Sequence, residues 1–339
     1  MAGSERSENH LSESPRRELA PPVPGEGEGG VFSQSWFPVC LSVDLKPGCV
    51  VGAGFLGGRV VAFRGEGGGP ARVVSAYCVH VGADLSVGEV VGERLRCRFH
   101  GWRYGGDGRC VATGIGDPVP PRARLFRFPT VERYGIVWAF NGEEPLFELP
   151  ELPYPDDELV VRRSMLDEMP VEPWLVQAHT MDLQHLSLPH EFELAEDPND
   201  SVRVGRYSVG FDLRARLRGD ADFDVRVDIH GTNIFWQTGT LDGRWFFWIA
   251  PLAIPGPGRS RATFVFGARR EEGEDTVAAE AFLDRAFSVM MDLFNDDTPV
   301  LGTIRFRPGL LTRSDRALDR YLQYVRDYPR ANPAADFLV

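Results

Sequence analysis

The chain has 339 residues, 43% hydrophobic and 25% charged, which is the composition of an ordinary globular protein with room for two domains. A formal net charge of -12 argues against nucleic acid and anionic membrane surfaces as partners, and suits docking to a basic patch on another protein. No apolar run approaches the roughly 18 residues of a membrane-spanning helix, and MAGSERSENHLSES lacks a signal peptide's apolar core and is too acidic for a transit peptide. A cytoplasmic location with no membrane partner is expected.

Residues 1–30 are polar, end in PPVPGEGEGG, and read as a disordered tail. From Trp36 to about Phe140 come short β-type runs, VVAF, ARVVSAY, RLRCRF and YGIVWAF, parted by glycine-rich turns. Within this region Gly52 to Gly57, GAGFLG, matches a dinucleotide fingerprint. The match lacks a following helix and an acidic residue about 20 positions on, so it reads as a β-turn. The connector FELPELPYPDDE (147–158) marks an expected boundary, dividing the chain at 31–150 and 151–339.

In the second half, PWLVQAHTMDLQHLSL (173–188) has helical spacing up to Pro189, and residues 202–218 and 224–269 alternate as strands. DTVAAEAFLDRAFSVMMDLFND (275–296) places Val277, Phe282, Ala286, Phe287, Met290 and Phe294 on one helical face, and a last helix is expected from Asp315 to Tyr328. The expected fold class is therefore α+β: a small all-β domain, then an antiparallel sheet covered by helices, of helix-grip type.

The cysteines and histidines are clustered. Cys78, His80, Cys97 and His100 form a C-x-H-x16-C-x2-H pattern. Zinc sites usually pair cysteine with cysteine and histidine with histidine, whereas here each end supplies one of each. That mixed pairing suits a [2Fe-2S] cluster in which two cysteines hold one iron and two histidines the other. Cys40 and Cys49 are expected to be small buried hydrophobes, and Cys110 lies outside the pattern.

The second cluster is HTMDLQHLSLPH, residues 179–190. Asp182 and His185 are three apart and would share a helical face. His190, five further on, would point about 140° away on a continuous helix, but Pro189 ends that helix and allows His190 to turn back. Two histidines and a distant carboxylate make a facial triad for iron(II).

The stretch CVH…CRFHGWRYGGDGRC, Gly101-Trp102 included, resembles the Rieske signature of non-haem iron oxygenases, and SWFPVCLSVDLKPG and VERYGIVWAF read like the same family. The respiratory branch of Rieske proteins has an extra cysteine in each loop. Val81–Asp84 and Arg98–Phe99 contain none, so the oxygenase branch is the better match. The resemblance implies a Rieske [2Fe-2S] domain followed by a catalytic domain with mononuclear Fe(II). It implies Cys78, His80, Cys97 and His100 as cluster ligands, with His185, His190 and Asp297 holding the mononuclear iron. Asp296 is the close alternative to Asp297. Asp182 would be the bridging aspartate, bonded to a ligand histidine and to His100 of a neighbouring subunit in a head-to-tail homotrimer.

The resemblance further implies O2 and an apolar or aromatic small molecule as substrates. Electrons would come from a separate NAD(P)H-dependent reductase or ferredoxin, since no flavin or nicotinamide domain is seen. Hydroxylation, demethylation, desaturation and cyclisation use the same metals. One departure concerns His179, close to where the family often has Asn or Glu; it reads as a supporting hydrogen-bond donor, a substrate contact or an exposed helix residue. Phe235, Trp236, Phe246, Phe247 and Trp248 are candidates to line the pocket. Two other readings compete: a Rieske electron-transfer protein with a degenerate second half, and a zinc-stabilised interaction protein.

Overall fold

The computed structural model describes residues 21–307 and 309–338. Three small antiparallel sheets occupy the first part. One orders Arg127–Phe128, Arg72–Ser75, Gly58–Phe63 and Val50–Phe55, and a second orders Thr130–Arg133, Ile136–Phe140 and Trp36–Leu41. The third runs Glu89–Val91, Arg94–Arg96, Arg103–Tyr104, Cys110–Ala112. The GAGFLG stretch is the hairpin between Val50–Phe55 and Gly58–Phe63, turned by Leu56 and Gly57 at φ 52 and 76. Two consecutive positive-φ residues are what a two-residue hairpin matched to strand twist requires.

The second part is built on an eight-stranded antiparallel sheet, from Leu159–Met169 through Ser260–Arg269, Arg244–Ala253, Ile234–Leu241, Ala221–His230 and Ser208–Leu217 to Phe192–Leu194, with Arg203–Val204 also pairing on Ser208–Leu217. Four helices accompany it: α1 (Pro173–Met181), α2 (Gln184–Ser187), α3 (Thr276–Leu301) and α4 (Arg316–Asp327). Alternation decides which face each strand buries. In Ser208–Leu217 and Ala221–His230, Val209, Phe211, Leu213, Phe223, Val225 and Val227 face the helices. The opposite face carries directly paired Arg214–Asp224 and Arg216–Asp222 ion pairs at 3.3 and 2.8 Å in solvent. In the two central strands that outer face is instead apolar. Ile234, Trp236, Phe247 and Ile249 pack there on Trp36, Ile136, Trp138 and Phe140 of the three-stranded sheet.

Several expectations need correction. The helix expected over 173–188 is two, because the chain breaks at Asp182, φ -82 and ψ 83, whose N–H caps α1 on His179. Asp182 and His185 therefore do not share the face of one helix. α3 runs past 296 and through Pro299 to Leu301, and its buried stripe is Ala279, Leu283, Ala286, Met290 and Leu293. Phe282 and Phe287 pack partly against the same core. Val277, in the first turn, faces solvent. Residues 1–20 of the expected tail lie outside the described residues. Residues 21–30 are anchored at two points: Val23 and Glu26 are buried, and the Glu26 carboxylate accepts from Ser33 N at 2.9 Å and Ser33 Oγ at 2.6 Å. Cys40 is buried and its thiol pushed up to about 12, chiefly by that burial. Cys49 is only half-buried, since it sits in the turn after Gly48.

Candidate functional site

The first site is formed by two loops with the same backbone pattern. One follows Arg72–Ser75; the other joins Arg94–Arg96 to Arg103–Tyr104. In the first, Gly82 N donates to Cys78 O at 2.8 Å and Cys78 N to Ala83 O at 2.9 Å. In the second, Gly101 N donates to Cys97 O at 3.0 Å and Cys97 N to Trp102 O at 2.8 Å. Both turns need a left-handed residue at the fifth position, which Gly82 (φ 80) and Gly101 (φ 69) supply without steric cost.

This repeated turn buries Cys78 and Cys97 and leaves His80 and His100 at the surface, their Nδ1 atoms 3.2 Å apart. Trp102 stacks on His80 with centroids 4.6 Å apart and planes at 9°. The Tyr104 hydroxyl lies 3.0 Å from Cys78 Sγ, a partner that the spacing of the cysteines and histidines did not reveal. Burial raises the Cys78 thiol pKa above its usual range, with Cys97 adding to the rise. The protein alone thus does not favour a thiolate there; a metal does. Two buried thiols and two imidazoles whose Nδ1 atoms converge fit a histidine-ligated [2Fe-2S] cluster.

The second site lies where α1 breaks, beneath the loop after α2 and against α3. His190 is almost fully buried, and its Nε2 is 3.2 Å from Asp297. His179 Nε2 is 3.3 Å from Asp297 Oδ1. The His185 ring lies 4.2 Å from His179 and 5.0 Å from His190, centroid to centroid. One donor atom each of His179, His185 and Asp297 falls within 4.8 Å of the other two. Asp296, one residue away, is exposed and paired with Arg218 at 3.0 Å, and approaches the cluster only at 3.9 Å from His190 Nδ1, on the ring edge away from Asp297.

The electrostatics suit a cation. Burial, then the neighbouring His179, depresses His185 to about 4, which leaves its ring neutral at pH 7. Burial alone would raise the Asp297 pKa, but hydrogen bonds from His179 and His190 outweigh it and hold the carboxyl well below the usual range. The neutral His185 imidazole beside the ionised Asp297 carboxylate suits an iron(II) site, whose donors must be deprotonated.

Asp182 departs from its expected contact. Its backbone carbonyl, not its carboxylate, meets His185 Nδ1. Oδ1 is buried with no partner among the described residues, and burial raises the pKa of the carboxyl. His179, ambiguous in the sequence, joins the cluster.

A cavity of about 970 Å³, its mouth included, opens from this cluster between the sheet and the helices. Its wall is apolar apart from a few groups such as Gln177, Thr180 and Gln237. Of the expected aromatics, Phe235 and Trp248 line it, joined by Phe264 and Phe294. Trp236 and Phe247 point to the opposite face, and Phe246 is buried in the core.

Comparison with known proteins agrees with this geometry. Residues 35–123 match the family model of the Rieske [2Fe-2S] domain. The chain carries a Rieske domain. It is 31% identical over 201 residues to cholesterol 7-desaturase of Bombyx mori, covering 58% of this chain and 43% of that protein. It is 35% identical over 127 residues to the oxygenase component of 3-ketosteroid-9-alpha-monooxygenase of Rhodococcus rhodochrous, 38% of this chain and 33% of that protein. The matched stretch is thus less than half the length of either relative. The crystal structure of dicamba monooxygenase bound to dicamba superposes with a TM-score of 0.68 at 18% identity, covering 86% of this chain and 96% of that one. The α+β fold expected from the sequence, small Rieske sheets followed by a large antiparallel sheet with helices, is the one present. The Rieske domain holds a [2Fe-2S] cluster, and this fold is shared with an oxygenase.

Proposed function

We propose that this chain is the oxygenase component of a Rieske non-haem iron system, oxidising an apolar, ring-containing small molecule with O2. One observation carries the reading: the same chain holds the Cys78, His80, Cys97, His100 group and, separately, a histidine–carboxylate cluster opening into an apolar cavity. An electron-transfer protein has no use for the second. A zinc-stabilised interaction protein could use the paired loops but has no use for the second cluster and its cavity.

When bound, the cluster passes single electrons and the mononuclear iron supplies the centre at which O2 is reduced. In this reading His185, His190 and Asp297 hold that iron and Cys78, His80, Cys97 and His100 hold the cluster. His185, neutral at pH 7, has its lone pair free, and ionised Asp297 balances part of the metal's charge. Phe235, Trp248, Phe264 and Phe294 keep water from the reacting carbon and hold a flat substrate by its faces. The relatives named for cholesterol and a 3-ketosteroid point to the same kind of polycyclic substrate.

A homotrimer belongs to the proposal. Exposed Val79, Val81 and Phe99 ring His80 and His100 with apolar surface, and exposed Leu188 lies beside the second cluster. Docking one face on the other would bring His100 towards the Asp182 carboxylate of the next subunit, whose Oδ1 has no partner among the described residues. Electrons would arrive from an NAD(P)H-dependent reductase or ferredoxin. Among the described residues no helix is long and apolar enough to cross a membrane. A cytoplasmic setting, where free cysteines stay reduced, completes the reading.

The test is analytical and then catalytic. Purified protein should carry iron and labile sulfide at 3:2 and give a Rieske-type EPR signal on reduction. In a single turnover with a sterol and O2, the cluster should reoxidise in step with product. A cluster present at 2:2, with no third iron after reconstitution, would hand the case to the electron-transfer reading.

A further inference from the structure

We propose that His179 is a fourth protein donor to the mononuclear metal, so that the centre is built from three imidazoles and one carboxylate. The inference rests on the oxygenase reading and adds a residue to its site.

The geometry comes from the helix break. His179 lies in the last turn of α1, and its carbonyl accepts the Asp182 N–H at 3.1 Å, which caps the helix there. On an unbroken helix, residues six apart point about 120° away from each other. The turn through Asp182 and Leu183 cancels that rotation, and His179 and His185 come together with ring centroids 4.2 Å apart. Both then face α3.

Two distances carry the assignment. His179 Nε2 and His190 Nε2 lie 3.3 and 3.2 Å from the same atom, Asp297 Oδ1. Donors on neighbouring positions of one metal, each about 2.1 Å from it and at right angles, are about 3.0 Å apart. His179 is therefore placed as closely to the carboxylate as His190 is. Donor atoms of His179, His185 and Asp297 lie within 4.8 Å of one another, and His190 joins this set through its 3.2 Å contact with Asp297. The His179 side chain, 16% exposed, is held in the cavity wall rather than in solvent. A structural hydrogen bond to Asp297 would account for one contact, but not for the convergence of His179 with His185 as well. A four-donor set leaves fewer positions open to O2 and substrate than a triad does.

The experiment uses the full chain with its cluster intact and the mononuclear site stripped by chelation. Co(II) alone is the probe. Its dissociation constant is read by equilibrium dialysis, and its coordinated imidazoles are counted by X-ray absorption at the cobalt edge, which the iron cluster does not obscure. The wild type should show three imidazoles. His179→Ala should show two, with Co(II) bound about 10- to 100-fold more weakly. His179→Asn gives the same readout should the alanine variant fail to retain its cluster signal. Unchanged affinity and an unchanged imidazole count in either variant would reduce His179 to a hydrogen-bond partner of Asp297. A wild type with two imidazoles overturns the assignment and leaves the oxygenase reading standing. A wild type that binds no Co(II), or a His185→Ala variant that binds it normally, overturns both.

Discussion

His190 Nε2 lies 3.2 Å from Asp297 Oδ2, although 107 residues separate them. The loop after Pro189 and the late turns of α3 thus meet at one carboxylate, while adjacent Asp296 turns outward to Arg218. The two aspartates should behave differently. Asp297→Asn is expected to abolish the mononuclear iron and lower substrate oxidation by about 100-fold or more, with the cluster signal intact. Asp296→Asn should lose an exposed ion pair with Arg218 and a 3.9 Å approach to His190 Nδ1, and keep its iron. Iron-to-sulfide ratios of both variants check this; loss of iron in the Asp296 variant alone would reverse the assignment.

The Tyr104 hydroxyl sits 3.0 Å from Cys78 Sγ in a buried setting. A hydrogen bond to a cluster sulfur stabilises the more negative, reduced state. Removing one net bond worth about 1 kcal/mol corresponds to about 40 mV for a one-electron couple. Tyr104→Phe should therefore retain the cluster and lower its midpoint potential by about that amount. Redox titration followed by EPR gives the number, and an unchanged potential would mean that the hydroxyl does not bond the sulfur.

Local signals explain what could be read from the sequence alone. The hairpin at Leu56-Gly57 is signalled by Gly57, which takes positive φ without steric cost, while the turn imposes φ 52 on Leu56; the alternation of 208–230 reports its buried face directly. The break at Asp182 carries no proline or glycine, so nothing local distinguishes it from helix; packing decides it. For the same reason His179 stayed ambiguous until the turn brought it to His185. Aromatic residues of the central strands gave no clue to which layer they serve, because both faces of those strands are apolar. Phe235 and Trp248 face the cavity, while Trp236 and Phe247 pack on the three-stranded sheet.

Asn233 fastens the strand beginning at Trp36 to the large sheet. Fully buried, it donates from Nδ2 to Trp36 O and Leu252 O, both at 3.0 Å, and accepts from Ser35 Oγ at 2.7 Å. Asn233→Ala would leave two carbonyls and a hydroxyl without partners in a dry interface. A loss of about 3 kcal/mol is expected, since each orphaned polar group costs about 1–3 kcal/mol. Urea denaturation of the holoprotein measures it. A loss below about 1 kcal/mol would show that water replaces the amide.

His230 sets an acid limit on stability away from both metal sites. Burial is the main cause that depresses it from 6.5 to about 4; Arg226 adds to the shift and Asp228 opposes it. The unfolded chain takes up this proton as pH falls through 6.5, whereas the folded chain resists until about 4. Between those values the unfolded state binds more protons, so stability falls as pH falls. At pH 5 this one group should cost about 2 kcal/mol relative to pH 7. His230→Gln should remove that share, making the variant's stability less sensitive to pH than the wild type's over the same interval. Denaturation curves of the two proteins at pH 7 and pH 5 test it. Parallel losses in both would show that His230 is protonated in the folded chain or does not titrate differently on unfolding.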